Sequence, residues 1–343
     1  MPIFSLSKKE IINMKKCTAL LLMLVLLTAS LFTPALADKK ITIVAATFPL
    51  YDWTRQVLGD HSNAELTLLM DSGVDLHSFN PTAQDILRVA SCDLFIYVGG
   101  ESDEWVEDAQ KHLINQDQIA VSLLETLGEA AKEEELVEGM QAEDHDHEHD
   151  EHDEDDDHDE GEAEYDEHVW LSLRNAQLFT QAIADALGQL DAENADAYQA
   201  NAAAYIAKLQ DLDARYADMR AQAAYDTILF GDRFPFRYLA DDYDLHYYAA
   251  FSGCSAETEA SFQTIVFLAG KTDELGLPAV LTIEGTDHRI AETIVQSTAD
   301  KNQQVLTVDS MQGTTAKAIN DGVTYLGVME KNLSVFAQAL DAE

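Results

Sequence analysis

The sequence predicts an α/β protein of two lobes, each a parallel-type sheet flanked by helices, joined by one long rigid helix with a cleft between the lobes. Three observations predict it. Short β-branched runs alternate with helical stretches of about 10–15 residues, the pattern of parallel sheets built from right-handed crossovers. The plan of the first half recurs in the second. Between the halves, residues 191–224 run without a Gly or Pro.

The N-terminus reads as a targeting segment. Lys15 and Lys16 precede the apolar run from Ala19 to Phe32, which ends in Ala35-Leu36-Ala37. A positive stretch, a short apolar stretch and an A-x-A site describe a signal peptide over 1–37 with Asp38 as the mature start. The apolar run is shorter than the ~20 residues a membrane span requires. The mature protein is therefore expected to be exported, to the periplasm or the cell surface. Cys17 leaves with the signal, so Cys92 and Cys254 remain.

An N-terminal lobe is expected over 38–190. "ITIVAATFPLYDWTRQVLG" gives a strand and then a helix closed by Gly59, "AELTLLM" a second strand, and "CDLFIYVGG" a third. In "DSGVDLHSFNPTAQDILRVA", Asn80 can cap a helix whose first turn starts at Pro81, where the missing N–H costs nothing. Residues 132–167 carry few branched or aromatic side chains and are read as a disordered loop rich in His and acids. Order resumes at "EHVWLSLRNAQLFTQAIADALGQL". The linking helix over 191–224 spans roughly 45 Å at about 1.5 Å per residue. The C-terminal lobe, 225–343, offers strands in "YDTILFG", "HYYAAFSG", "PAVLTIEG" and "QQVLTVDS". Its helices fall in "RFPFRYLADDYDL", "SFQTIVFLAGKTDELG", "HRIAETIVQSTADK" and "VTYLGVMEKNLSVFAQAL".

Charge excludes one class of partner. The chain has 63 acids against 21 Lys and Arg, a formal net charge of −42. A polyanion such as nucleic acid would meet strong repulsion. Roughly a third of the acids lie in residues 133–167.

In open α/β sheets, ligands sit outside the carboxyl ends of the strands. His77 follows "AELTLLM", His168 opens the ordered segment after the acidic loop, Asp232 follows "TILFG", and Glu284 with Asp287 follows "PAVLTI". Two imidazoles and one or two carboxylates on one rim make a tetrahedral or slightly expanded site for a divalent first-row ion. Each residue also has an ordinary alternative: a loop His is commonly just solvated, and Asp232, Glu284 or Asp287 can cap a helix. Cys92 begins a strand and Cys254 follows one, so they face opposite ends and no disulfide is expected. Cys254 is read as a small buried side chain, with a soft ligand near the metal as the alternative.

Several segments carry a resemblance. "ATFPLYDWTRQVLGD", "GVDLHSFNPTAQDI", "CDLFIYVGGESDEWVED", "EHVWLSLRNA", "FGDRFPFRYLADDYDL", "ETEAS" and "DGVTYLGVMEKNL" resemble the cluster A-I metal-binding proteins of bacterial zinc and manganese ABC importers. The resemblance runs from about residue 40 to the C-terminus. It implies that His77 and His168 are ligands, that Asp232 takes the third ligand position, and that Asp287 or Glu284 supplies the fourth. Zinc-type members carry His at the third position and manganese-type members a carboxylate. The family has Pro where this chain has Leu76 and Glu167, and Glu where it has Asn80. A lipid-bearing Cys at the cleavage site, common in Gram-positive members, is replaced by Ala37-Asp38.

Zinc-type members also place a His-rich loop before the second ligand. Here His145, His147, His149, His152 and His158 answer to it. A flexible chain of that length reaches roughly 30 Å, giving its imidazoles an effective concentration on the order of millimolar at the cleft. The loop favours zinc; Asp232 alone would favour manganese. The expected function is extracytoplasmic capture of Zn2+, or Mn2+ in the alternative, by a monomer that delivers it to an ABC transporter permease. A zinc-dependent hydrolase is the reading from another class, but no HExxH appears, and no enzymatic activity is expected.

Overall fold

A computed structural model describes residues 40–60, 63–141, 164–255 and 259–342. The signal-peptide reading and the five loop histidines lie outside the described residues. The N-terminal strands are β1 (Ile41–Ala45), β2 (Ala64–Leu68), β3 (Leu94–Tyr97) and β4 (Ile119–Ser122). The C-terminal ones are β5 (Thr227–Phe234), β6 (His246–Ser252), β7 (Ala279–Ile283) and β8 (Gln304–Val308). They form two four-stranded sheets, ordered β2-β1-β3-β4 and β6-β5-β7-β8, with every pairing parallel. The first strand of each lobe lies inside its sheet, between its second and third. Because all strands of a sheet run the same way, the loops that follow them gather at one edge of that sheet, where ligands of open α/β sheets sit.

Local chemistry sets the helix ends. The helix Phe48–Leu58 carries Pro at its first turn and stops at Gly59, whose φ of 58° suits a residue without Cβ. The next helix starts two residues later than Asn80-Pro81 suggests. It spans Ala83–Ser91, and Thr82 and Asp85 cap each other's backbone N–H groups. That reciprocal pair satisfies two orphan donors and outcompetes the Pro signal.

The linking helix spans Ala195–Gln222. Its buried residues are Tyr198, Ala202, Tyr205, Leu209, Leu212, Tyr216 and Met219. Alternating steps of four and three make one continuous stripe, which holds the helix against neighbours along its whole length. Near its start, Asn201 donates to the carbonyl of Val57 at 3.0 Å; near its end, the Tyr216 hydroxyl donates to the carbonyl of Met329 at 2.7 Å. One helix thus grips an element from each half of the chain, and bending it would break backbone bonds.

Further ties cross between the halves. The Tyr325 N–H donates to buried Asp52, and its hydroxyl donates to the Trp170 carbonyl at 2.7 Å. Trp170 Nε1 donates to the Ser310 carbonyl at 2.9 Å. Among the described residues no helix is long and apolar enough to cross a membrane. The stretch 132–167, expected to be loop throughout, is ordered at both ends. Glu133 bridges Tyr165, Gln141 bridges Phe251, and the Tyr238 hydroxyl donates to the Asp166 carbonyl.

β5 differs most from expectation. It does not stop at Gly231 but runs to Phe234, and the helix begins only at Arg237. Pro235 explains this, because the residue before a proline is pushed to extended conformation. The pairing of β5 with β6 shifts between Phe230 and Arg233, so Gly231 and Asp232 form a bulge. A Cβ on Gly231 would stand 2.5 Å from Ala291 Cα. Glycine is what allows β5 to press against the helix Arg289–Ser297.

One tie makes stability depend on pH. Asp242 accepts the Ser172 hydroxyl at 2.6 Å, and burial pushes its carboxyl up to about 6 against the opposing pull of Ser172 and Arg174. The folded chain holds this proton more tightly than the unfolded one. The contribution is therefore complete below the ordinary carboxylate value of 3.8 and lost as pH rises through about 6. In chelator, wild-type stability should fall across that window relative to Asp242→Asn, by about 1–3 kcal/mol at 1.36 kcal/mol per pKa unit. Parallel urea-melt profiles for the two proteins would refute it.

Candidate metal centre

His77 sits on a single helical turn, Leu76–Ser78, between β2 and the next helix. The Leu76 side chain is buried beneath it, and Asp75 accepts the His77 N–H at 3.0 Å. The ring is steered from its Nδ1, which lies 2.8 Å from Ser102 Oγ and 3.4 Å from a Glu167 carboxylate oxygen. Ser102 is fixed in turn, its N–H donating to Glu167 at 2.9 Å. Room for Glu167 comes from Gly100, where an added Cβ would lie 2.4 Å from Oε1. Asp103, next in the same turn, accepts the Val98 and Gly99 N–H groups.

His168 is fully buried. Asp166 accepts its backbone N–H at 2.8 Å and stands 3.0 Å from its Nδ1. The other face of the ring lies on Gly253, where a Cβ would come within 3.0 Å of the ring atoms Cε1 and Nδ1. Both rings thus have Nδ1 anchored, and their Nε2 atoms face each other at 3.2 Å. Two nitrogens bound to one tetrahedral zinc at ~2.1 Å stand about 3.4 Å apart. The pair is spaced for a shared ion. Anchoring Nδ1 on a carboxylate or hydroxyl fixes ring orientation and tautomer, the usual support for metal-bound histidine.

Electrostatics keep His77 neutral. Burial, the neighbouring His168 and the Arg233 guanidinium outweigh Asp75 and Asp166, and bring it down to about 3. A neutral imidazole keeps a lone pair for a cation. Burial raises Glu167 to about 7 despite its bonds to Ser102. Burial also acts to raise Asp75, but Arg233 and His77 reverse that and leave it below the ordinary carboxylate range.

Beside His77 lies a cavity of about 230 Å³ lined by Glu101, Glu134, Glu164, Glu167 and Cys254. The Cys254 N–H donates to Glu134 at 3.0 Å. Burial, then Glu134, pushes the thiol well above its ordinary value. His77, His168 and Cys254 each offer a ligand atom, and all three atoms lie within 4.8 Å of one another. The expectation of a small buried side chain at 254 gives way to its alternative, a sulfur beside the histidines. Among the described residues, Cys92 and Cys254 are both free thiols.

The carboxylates expected on the rim are engaged elsewhere. Asp232 turns into the C-terminal lobe, where it accepts Thr282 Oγ1 at 2.6 Å, Thr286 Oγ1 at 2.9 Å and the Ile283 N–H at 3.3 Å. The bulge in β5 aims its neighbour, Arg233, at Asp75 instead, 2.9 Å away. Glu284 accepts the Ser310 N–H at 2.7 Å and hydroxyl at 2.8 Å. Asp287 is exposed and paired with Arg289. Gln312, which the residue pattern does not mark, places its amide oxygen 2.7 Å from His168 Nε2 when oriented to satisfy both its ends.

Comparison with known proteins gives this geometry a context. The family model described as zinc-uptake complex component A, periplasmic, matches residues 43–339. The zinc-binding lipoprotein AdcA of Streptococcus pneumoniae R6 is 31% identical over 309 residues, covering 90% of this chain and 57% of that protein. This chain thus spans little more than half of that relative. The high-affinity zinc uptake system protein ZnuA of Bacillus subtilis 168 is 30% identical over 301 residues, covering 88% of each. The crystal structure of the Zn(II)-bound ZnuA-like domain of S. pneumoniae AdcA superposes with a TM-score of 0.66 at 26% identity, over 88% of this chain and 99% of that one. With a match from 43 to 339 on a shared two-lobe fold, this chain belongs to the family of zinc-uptake complex component A.

Proposed function

We propose that the protein captures a single zinc ion between its lobes and delivers it, as a monomer outside the cytoplasm, to the permease of an ABC importer. The observation that carries the reading is the facing pair of Nε2 atoms, 3.2 Å apart, with Nδ1 of each ring engaged behind it. Asp232 is the one feature that favours manganese, and its oxygens are taken up by Thr282, Thr286 and two backbone N–H groups. Imidazole donors suit zinc better than manganese. The acidic cavity beside His77 offers an approach whose field attracts cations. A carrier fits better than a hydrolase, since the two carboxylates beside the histidines, Glu167 and Asp166, face Nδ1 of His77 and of His168 and so stand behind the rings.

His145, His147, His149, His152 and His158 are assigned to auxiliary capture, passing weakly held zinc to the cleft. Calorimetric titration of metal-stripped protein tests both statements. Wild type should show one tight zinc site and several weaker ones, and deleting 143–163 should remove only the weaker. Equal stoichiometry in the two proteins would make the loop a spacer; the lack of any tight site in either would end the capture reading.

A further inference from the structure

We propose that the third protein ligand is the thiolate of Cys254, so that the site is a His77–His168–Cys254 shell. This rests on the metal-capture reading and specifies its chemistry. Among the described residues, these three form the one grouping of at least three His, Cys, Asp or Glu whose donor atoms lie together. The residue at the position that resemblance assigns to the third ligand is engaged elsewhere in this structure. Asp232 is consumed inside the C-terminal lobe, and the group that enters the cleft from β5 is Arg233, a cation without a lone pair to offer.

The donor comes from the next strand instead. β6 ends at Ser252, and Gly253 then passes directly under the His168 ring, with no room for a side chain. Cys254 follows at once, its backbone tied to Glu134. Zinc–sulfur and zinc–nitrogen bonds of ~2.3 and ~2.1 Å put the sulfur about 3.6 Å from each nitrogen in a tetrahedron. From a separation of at most 4.8 Å, that asks for a shift on the order of 1 Å. On binding, the thiol proton leaves to solvent as the sulfur lone pair forms the metal bond. One Zn2+ replaces one H+, and the shell carries a single negative charge. Thiolate is a softer donor than carboxylate, so the exchange of Asp232 for Cys254 moves the site away from manganese and towards zinc.

Cobalt(II) substitution tests this on the whole chain. Loaded wild type should show an intense near-ultraviolet thiolate-to-cobalt charge-transfer band beside the visible ligand-field bands. Cys254→Ser should lose the charge-transfer band and keep ligand-field bands from the histidines. Its zinc affinity should fall by more than the about 10–100-fold that loss of a supporting residue costs, with the preference over manganese reduced. Cys92 is present in both proteins and cancels from the comparison. Cys254→Ala, measured alongside, should lose the band equally, and a thermal melt of each variant in chelator reports whether it is folded. A wild type that binds cobalt without the charge-transfer band, or a Ser variant that retains it, overturns the thiolate ligand while capture by histidine stands. A wild type that binds neither cobalt nor zinc overturns the capture reading as well.

Discussion

His77→Ala should abolish tight zinc binding while leaving the metal-free fold nearly unchanged. The imidazole supplies one of the two Nε2 atoms of the facing pair, and among the described residues only His168 and Cys254 place a donor atom with it. Changes in residues that merely support a ligand cost about 10–100-fold in affinity. Loss of the ligand itself is expected to exceed that, at about a thousandfold or ~4 kcal/mol. The fold should tolerate the change because the turn is anchored by buried Leu76 and by Asp75 to backbone, not by the ring. Removing the ring also ends the close approach of a partly buried imidazole to the fully buried one of His168 in the metal-free state. A thermal melt at a zinc concentration about a thousandfold above Kd should show wild type gaining about 4 kcal/mol from the ligand. The variant should gain little, beyond what weaker sites contribute. An unchanged zinc-induced shift in His77→Ala would remove His77 from the site.

Much of the architecture is legible in the sequence because it depends on local pattern. Alternating β-branched runs and helical stretches specify two parallel sheets, and the Gly- and Pro-free segment specifies the linking helix, whose buried stripe keeps one face down for its full length. The rule that ligands lie past strand ends locates His77, and the segment opening after the acidic loop locates His168. What stays hidden is the aim of side chains in and after β5. An extra residue in the strand turns successive side chains to opposite faces. Whether Asp232 or Arg233 enters the cleft is decided by how closely Gly231 packs on Ala291, a contact between residues 60 apart in sequence. Cys254 had a usable signal, since it follows a strand end as His77 does. A lone cysteine reads as a small apolar residue until a structure puts histidines beside it. The helix Glu104–Lys111 and β4 stay hidden because eight mostly polar residues, and four that are only half-buried, give too little apolar pattern to stand out.

Trp170→Ala should be the most destabilising single change near the cleft, at about 3–5 kcal/mol for a buried aromatic removed to Ala. Trp170 is 1% exposed, so its whole ring becomes cavity. The loss is greater than packing alone implies, because Nε1 satisfies the Ser310 carbonyl across the lobes, and an unsatisfied buried acceptor costs about 1–3 kcal/mol. Glu284 holds the other side of Ser310 through its N–H and hydroxyl. A continuous path therefore runs from Glu284 through Ser310 and Trp170 to the turn that begins at His168, whose ring centroid lies 5.3 Å from the indole. Trp170→Phe separates the two contributions: it keeps most of the ring volume and deletes only the N–H. Its stability loss should be about 1–2 kcal/mol, and its zinc affinity should drop measurably because residues 310–312 lose their hold beside His168. If chemical denaturation gave Trp170→Phe the stability of wild type and calorimetry gave it the same zinc affinity, the interlobe hydrogen bond would have no part in positioning the site.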